Sequence, residues 1–399
     1  MELLVFLHEE QIRELFSKNL GKTKGFAYCL DDATVIHAFT SIPKVAPSGI
    51  AVNSWFIILN NVEELNNFDA ARFIDYGLVV AFALENNNLK SRAILIAANT
   101  FDNYSVKFIP EKSELYSRNK GLLETSALNK KTVGIVGIGS GGSPIALELA
   151  KAGIGNFVLI DFDRIELSNI ARHVCGINDL GRYKTYAVRD LIWQKNPYAN
   201  IKTLEIDVNE RPDECELALA EVDIILCASD NDKSRFFLND IALKNKIPAI
   251  FGRAITRAIG GDVLRVRPYV GPCYNCLYSQ DFRNTEEEIS QRDRQAKKFL
   301  PDYTSEENLD VIVQVGLASD IAPISNFMVK LALVELSKGT NSGISSLEDD
   351  LIADFYIWAN RREYVYESWS KLEYNFNKPS ILRWYGAKIL RDPNCMVCG

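Results

Sequence analysis

Residues 137–142 read Gly-Ile-Gly-Ser-Gly-Gly, a G-x-G-x-x-G pattern. It follows the apolar run Thr132–Val136 and opens a helical stretch from Pro144 to Ala152. In that setting Gly137 permits a tight turn. Gly139 lets backbone N–H groups approach a phosphate, which also feels the positive end of the helix, and Gly142 closes the motif. Asp161 follows at the end of the next apolar run, where a carboxylate takes a ribose hydroxyl. The motif alone does not separate NAD from ATP.

Other groups narrow the chemistry. The run from Asp161 to Arg172 places Asp161, Asp163, Asn169 and Arg172 just past a strand's carboxyl end, and Lys184 follows. Hydride transfer needs no arginine there. Splitting ATP between its α- and β-phosphates does, because charge builds on the phosphates. Ser229-Asp230-Asn231 ends a later strand, where a carboxylate can hold Mg²⁺. Cys273 and Cys276 form one CxxC turn, and Cys395 and Cys398 form a second near the C-terminus. Two such turns complete a closed, tetrahedral, structural zinc site that clips the tail to the middle of the chain.

The elements that must position these groups are legible from periodicity. Beyond Lys131, apolar runs (Thr132–Val136, Asn156–Ile160, Ile201–Ile206, Val222–Ala228, Ala249–Gly252) alternate with helical stretches (Leu180–Gln194, Arg211–Ala220, Lys233–Asn245). Nearly continuous apolar strands between helices predict a doubly wound, mostly parallel Rossmann-like sheet covered on both faces. Gly261–Arg267 and Asp354–Trp358 extend it, and Ile321–Ser337 is a strongly apolar helix. Residues 279–314 are charged and short of apolar anchors, an excursion from the core. Residues 1–115 form a small α+β domain. Helices are expected at Glu9–Leu20 and Val62–Tyr76, and strands at 26–30, 34–40, 54–59, 78–84, 93–98 and 106–109.

The chain has 399 residues, enough for two or three domains, and a net charge of -7, which argues against nucleic acid and anionic membranes as partners. No apolar stretch is long enough to span a bilayer, and the acidic start lacks a basic leader, so the expected location is cytoplasmic. In that reducing compartment the eight cysteines are expected as metal ligands, catalytic thiols or buried small residues.

From about Tyr116 to Gly399 the sequence resembles the ThiF/MoeB family of ubiquitin-activating-enzyme-like adenylyltransferases. The glycine motif, Asp-Phe-Asp, Ser-Asn-x-x-Arg, Gly181-x-x-Lys184, Ser229-Asp230-Asn231 and both CxxC pairs occur in the family's order. The resemblance implies that Asp161 binds ribose, that Asn169, Arg172 and Lys184 contact ATP phosphates, and that Asp230 supports Mg²⁺. It implies a homodimer in which Arg118, within Tyr116-Ser117-Arg118-Asn119, reaches the second subunit's ATP. Family members that form a thioester carry a cysteine in the excursion, and this chain has none between Cys276 and Cys395. Cys175 is the nearest substitute, with cationic neighbours able to lower its pKa, although a small buried residue before Gly176 is the favoured reading. The element order of residues 1–115 resembles JAB/MPN domains without their His-x-His metal set, because the chain's histidines are His8, His37 and His173 alone. That implies a partner-binding role.

The expectation is therefore adenylation of a carboxylate with ATP, Mg²⁺ and a structural Zn²⁺. The foremost substrate is the C-terminus of a ubiquitin-like protein lying under the 279–314 excursion, with a conjugating enzyme as a further partner. The rivals are adenylation of a short peptide or modified tRNA base, a non-catalytic half of an activating complex, and an NAD-dependent oxidoreductase.

Overall fold

The computed structural model describes residues 2–18, 21–31, 33–73, 76–97, 100–109, 112–255, 258–278, 316–361 and 381–399. The excursion assigned to 279–314 lies outside the described residues. The chain divides into two compact units, Met1–Ser117 and Arg118–Gly399.

In the first unit, β1 (Leu4–His8), β2 (Lys22–Leu30), β3 (Val35–Phe39), β4 (Ile50–Ile58), β5 (Gly77–Glu85), β6 (Asn88–Ala97) and β7 (Thr100–Ile109) close into a barrel of order β1-β3-β2-β4-β5-β6-β7. β1, unrecognised in the sequence, lies parallel between β3 and β7 and so closes the ring. The helix expected over Val62–Tyr76 stops after one turn at Asn66. Asp69 then starts a separate short turn by accepting the Ala71 N–H. Asx side chains compete with helical hydrogen bonding in this way.

The second unit is built on β8 (Thr132–Val136), β9 (Asn156–Ile160), β10 (Asn200–Leu204), β11 (Ile224–Cys227), β12 (Ala249–Ala254), β13 (Gly260–Val266), β14 (Phe355–Ala359) and β15 (Arg383–Ala387). Their order is β10-β9-β8-β11-β12-β13-β14-β15. β10 through β12 pair in parallel, and β13, β14 and β15 join antiparallel, so the sheet is mixed.

Alternation explains the apolar runs. Phe157, Leu159, Ile224 and Leu226 enter one buried layer with residues of the helices Gly142–Ala152, Lys184–Lys195 and Ala318–Leu336. Val158, Ile160, Ile225 and Cys227 enter the other layer with residues of Pro212–Leu219 and Asp232–Lys244. Side chains of period two with helices on both faces make both parities apolar. The helix Ala318–Leu336 buries Ile321, Ile324, Met328, Val329, Leu331, Leu333, Val334 and Leu336 within its own chain. Its apolar content is used by this unit's own core and does not call for a partner chain.

That helix is also held by charge. Arg265 on β13 is 2 % exposed. It donates to Asp354 at 2.7 Å and Glu335 at 2.9 Å, and also to Glu348. Burial works against its charge, and the carboxylates outweigh burial, so its pKa is raised. Removing one member of a buried charge network leaves the others uncompensated, at about 3–5 kcal/mol. Arg265→Met should lower unfolding stability by that amount in urea titration, and Arg265→Lys by less. A change below about 1 kcal/mol for the methionine variant would show the carboxylates to be solvated or protonated instead.

Candidate functional site

Strand order reverses direction between β8 and β11. β9 and β10 continue the sheet on one side of β8, and β11 and β12 continue it on the other. A crevice opens outside the carboxyl ends of the strands at such a switch point. The glycine motif leaves β8 there, and Ser229-Asp230-Asn231 leaves β11.

The two loops meet backbone to backbone. Gly137 adopts φ +85°, and a Cβ there would stand 2.7 Å from the Ser229 nitrogen. A Cβ on Gly142 would stand 1.8 Å from the Gly137 carbonyl oxygen. Gly139 differs: a Cβ there meets nothing within 4 Å, so its side of the loop is open. The helix Gly142–Ala152 begins behind it, and Ser325 Oγ donates to the Gly141 carbonyl at 3.0 Å.

Asp161 holds this loop. One carboxylate oxygen accepts from the Ile138 N–H at 2.6 Å and the other from the Asp163 N–H at 2.8 Å. Burial raises its pKa, against the opposing pull of Lys184 and of the two N–H groups. Asp163 presents a half-exposed carboxylate, and Lys184 Nζ lies 2.6 Å from its Oδ2. The buried Lys184 is delivered by pairing of residues 164–165 with 181–183. Arg164 donates to the Gly181 carbonyl at 2.7 Å and stacks 3.8 Å over the Tyr183 ring, and Ile165 N–H donates to the Arg182 carbonyl at 2.8 Å. Asn169 and Arg172 share one short turn, with the Arg172 N–H donating to the Asn169 carbonyl at 3.0 Å. Asn169 Oδ1 accepts the Glu166 N–H at 3.0 Å, which fixes the start of that turn.

The structure thus places Gly137, Gly139, Gly142, Asp161, Asp163, Asn169, Arg172, Lys184 and Asp230 in the segments that follow the carboxyl ends of β8, β9 and β11. It does not bring Arg118 there. Asn119, its neighbour, donates to the Lys151 carbonyl at 3.0 Å, at the end of the helix opposite the glycine loop. Nine residues of helix set the two ends about 14 Å apart.

Two groups went unrecognised in the sequence. His173 is buried, with Nε2 2.8 Å from the Ile138 carbonyl oxygen and Nδ1 3.1 Å from the Cys175 nitrogen. Its one sequence signal was its place directly after Arg172. Arg235 is buried behind Asp230. It donates to the Ser229 carbonyl at 2.6 Å and to Asp232 at 2.8 Å. Asp232 also accepts from the Tyr274 hydroxyl at 2.8 Å, and Tyr274 sits between Cys273 and Cys276.

The four expected cysteines converge. Cys273, Cys276, Cys395 and Cys398 have sulfur atoms all within 4.8 Å of one another. The pairs 273–276 and 273–395 are 3.7 Å apart, and 276–398 is 3.4 Å apart. These are too long for disulfides, which need about 2.05 Å. Cys175 does not offer an activated thiol: it is 3 % exposed, and burial, then Asp179, push its pKa up to about 12 against Arg182. Cys215 and Cys227 are buried in the core, and burial raises both.

Comparison with known proteins agrees with this geometry. The molybdopterin-synthase adenylyltransferase of Escherichia coli (strain K12) is 36% identical over 154 residues, 38% of this chain and 60% of that protein. The SAMP-activating enzyme E1 of Haloferax volcanii is 31% identical over 184 residues, 46% of this chain and 64% of that one. The adenylyltransferase and sulfurtransferase MOCS3 of Aedes aegypti is 34% identical over 152 residues, 38% of this chain and 34% of that one. The chain therefore spans less than two thirds of the length of each of these curated relatives. The crystal structure of E. coli MccB with AMPCPP and MccA shares the fold at TM-score 0.51 and 18% identity, over 72% of this chain and 75% of that one. The ThiF family model matches residues 112–343, more than half of the sequence, and the chain belongs to the ThiF family.

Proposed function

We propose that the second unit binds ATP with Mg²⁺, directs a carboxylate onto the α-phosphorus and releases pyrophosphate. The observation that carries this reading is the open face of the glycine loop at Gly139, in the same crevice as Lys184 and Arg172. In the reaction a carboxylate oxygen bonds to the α-phosphorus, the bond to the bridging oxygen breaks, and pyrophosphate leaves with that electron pair. Both reactants are anionic, so positioning and charge neutralisation supply most of the rate. Lys184 and Arg172 face the phosphates, and Asp161, Asp163 and Asn169 order the loop and the ribose side. Asp230, exposed at the end of β11, meets Mg²⁺. The relatives are named for adenylylating molybdopterin synthase and for activating SAMP, which supports a protein carboxylate as substrate, and we read it as the C-terminus of a ubiquitin-like protein.

The cysteine cluster fits Zn²⁺. Thiolates about 2.3 Å from a tetrahedral ion stand about 3.8 Å from one another, close to the 3.4–3.7 Å seen. Four thiolates leave no open position, so the role is structural. We read the assembly as a homodimer in which Arg118 enters the site of a second copy, because its own helix holds it away from its own glycine loop. The barrel unit is read as a partner-binding module. Its histidines His37 and His8 lie against Phe6 at 5.4 Å and Phe39 at 5.8 Å, aromatic surroundings that suit packing better than metal ligation.

The test of adenylation is ATP–pyrophosphate exchange with candidate carboxylates. Asp230→Ala should lower exchange by about 10²-fold or more, with an unchanged circular dichroism spectrum. Tighter binding of NAD than of ATP·Mg²⁺ would sink this reading. Metal analysis should find about one zinc per chain. Cys395→Ser should reduce zinc content and cost several kcal/mol of stability, because binding energy here is folding energy. A fully stable, zinc-free wild type would exclude a structural metal. For the dimer, an equal mixture of Arg118→Ala and Asp230→Ala chains should recover about a quarter of wild-type activity, since random pairing makes half of the dimers mixed and each holds one intact site. Absence of recovery would place Arg118 outside the second copy's site.

A further inference from the structure

We propose that His173 is a positioning residue that sets the direction of the peptide between Ile138 and Gly139, so that the Gly139 N–H faces the nucleotide phosphates. The proposal rests on the ATP reading above and extends it to a residue that touches neither ATP nor the substrate.

The tautomer follows from the partners. The Cys175 backbone nitrogen can only donate, and it lies 3.1 Å from Nδ1, so Nδ1 is the bare acceptor. The proton is then on Nε2, which donates to the Ile138 carbonyl at 2.8 Å. In a trans peptide the C=O and N–H point in opposite directions. Anchoring the Ile138 carbonyl on His173 therefore aims the Gly139 N–H away from the imidazole.

Asp161 cannot do this work. It binds the Ile138 N–H, which belongs to the preceding peptide, at 2.6 Å. Nor does the Ser143 N–H, which donates at 2.9 Å to the Gly139 carbonyl of the following peptide, and a Cβ at Gly139 would meet nothing within 4 Å. With both flanking peptides held, glycine's wide backbone range would still let the peptide between Ile138 and Gly139 flip once its carbonyl lost its anchor. Rotation would turn the Ile138 carbonyl dipole toward the phosphates in place of the N–H and change attraction into repulsion. The same residue joins the loop to the arginine, since the His173 N–H donates to the Asn169 carbonyl at 2.9 Å, the acceptor also used by the Arg172 N–H.

The charged groups acting on the ring are Lys184 and Asp179. Lys184 is itself paired with Asp163, and Arg172 precedes the histidine in the chain. Burial, then Lys184, lower the pKa of the ring, and the Ile138 bond and Asp179 offset part of this. The ring is thus neutral at pH 7. Protonation at acid pH would set an Nδ1–H against the Cys175 N–H, donor facing donor, and break the clamp.

The test measures binding of ATP·Mg²⁺ and of adenosine, which lacks phosphates, to the full chain. His173→Ala should weaken ATP·Mg²⁺ about tenfold, the scale of one hydrogen bond with its partner left exposed, and change adenosine by less than about twofold. His173→Gln, whose amide both donates and accepts, should restore ATP·Mg²⁺ to within about threefold of wild type. Equal losses for both ligands, no loss for ATP·Mg²⁺, or no rescue by glutamine would overturn the proposal. Should the alanine variant fail to fold, the pH profile decides. The ratio of ATP to adenosine affinity should fall as the pH is lowered past the ordinary imidazole range in wild type and stay flatter in His173→Gln. Parallel profiles would overturn the proposal. A wild type that binds adenosine but not ATP·Mg²⁺ at any pH overturns the nucleotide reading itself, and the clamp with it.

Discussion

Everything chemical in the second unit hangs on one backbone approach. The glycine loop leaving β8 touches the segment leaving β11 so closely that Gly137 has no room for a Cβ, and Gly142 has none because the loop folds back on its own Gly137 carbonyl. That contact seats the loop, sets where the helix Gly142–Ala152 starts, and brings the Ser229-Asp230-Asn231 segment against the glycine loop. It is affordable only because the sheet beneath is rigid. β8, β9, β11 and β12 are apolar on both faces and roofed by helices on both sides. Close packing of this kind transmits small displacements without absorbing them. The loop's geometry is therefore set largely by the core.

The polar connections then link parts that are distant in sequence. Asp161 and His173 grip the two peptides flanking Ile138 from opposite ends of one thirteen-residue loop. Arg235 ties the Ser229 carbonyl to Asp232, and Asp232 ties to Tyr274 inside the first cysteine turn. The cysteine cluster consequently does more than fasten the C-terminal tail. Through three hydrogen bonds it supports the strand end that carries Asp230. Buried networks of this sort must be complete to be stabilising, because each unpaired member costs its full desolvation.

How much of this was legible follows from how local each signal is. The glycine motif, the Asp161–Arg172 run and the CxxC turns are chemical patterns spanning few residues, and the four cysteines of the two turns converge. The parallel strands were legible because burial on both faces leaves nearly unbroken apolar runs. β1 was not: its five residues follow no turn signal, and it becomes a strand only by lying between β3 and β7. The antiparallel β15 pairs with β14 across residues far apart in the chain. His173 and Arg235 act on backbone carbonyls, and a carbonyl leaves no trace in residue identity. The helix Ala318–Leu336 shows the opposite failure. Its apolar content is plain in the sequence, but hydrophobicity alone cannot say which surface covers it, and here the chain's own core does.

Burial also decides which groups near the crevice can react. In the proposed reaction two anions meet there, which calls for cations nearby and for silent nucleophiles other than the substrate. Lys184 is buried and pairs with Asp163 2.6 Å away, and in the proposed reaction phosphate would take over that ion pairing with little reorganisation. The thiols receive the reverse treatment. Cys175 follows Arg172 by three residues, but burial and Asp179 push it up to about 12, leaving it protonated at neutral pH. Cys227 lies at the end of β11, fully enclosed, and burial raises it as well. Four more thiols are gathered into the cluster. An acyl-adenylate formed at the glycine loop would meet no ionised thiol of the crevice, and its carbonyl would remain available to a nucleophile arriving from outside. The burial that keeps Cys175 and Cys227 protonated would thus also protect the product of the proposed reaction.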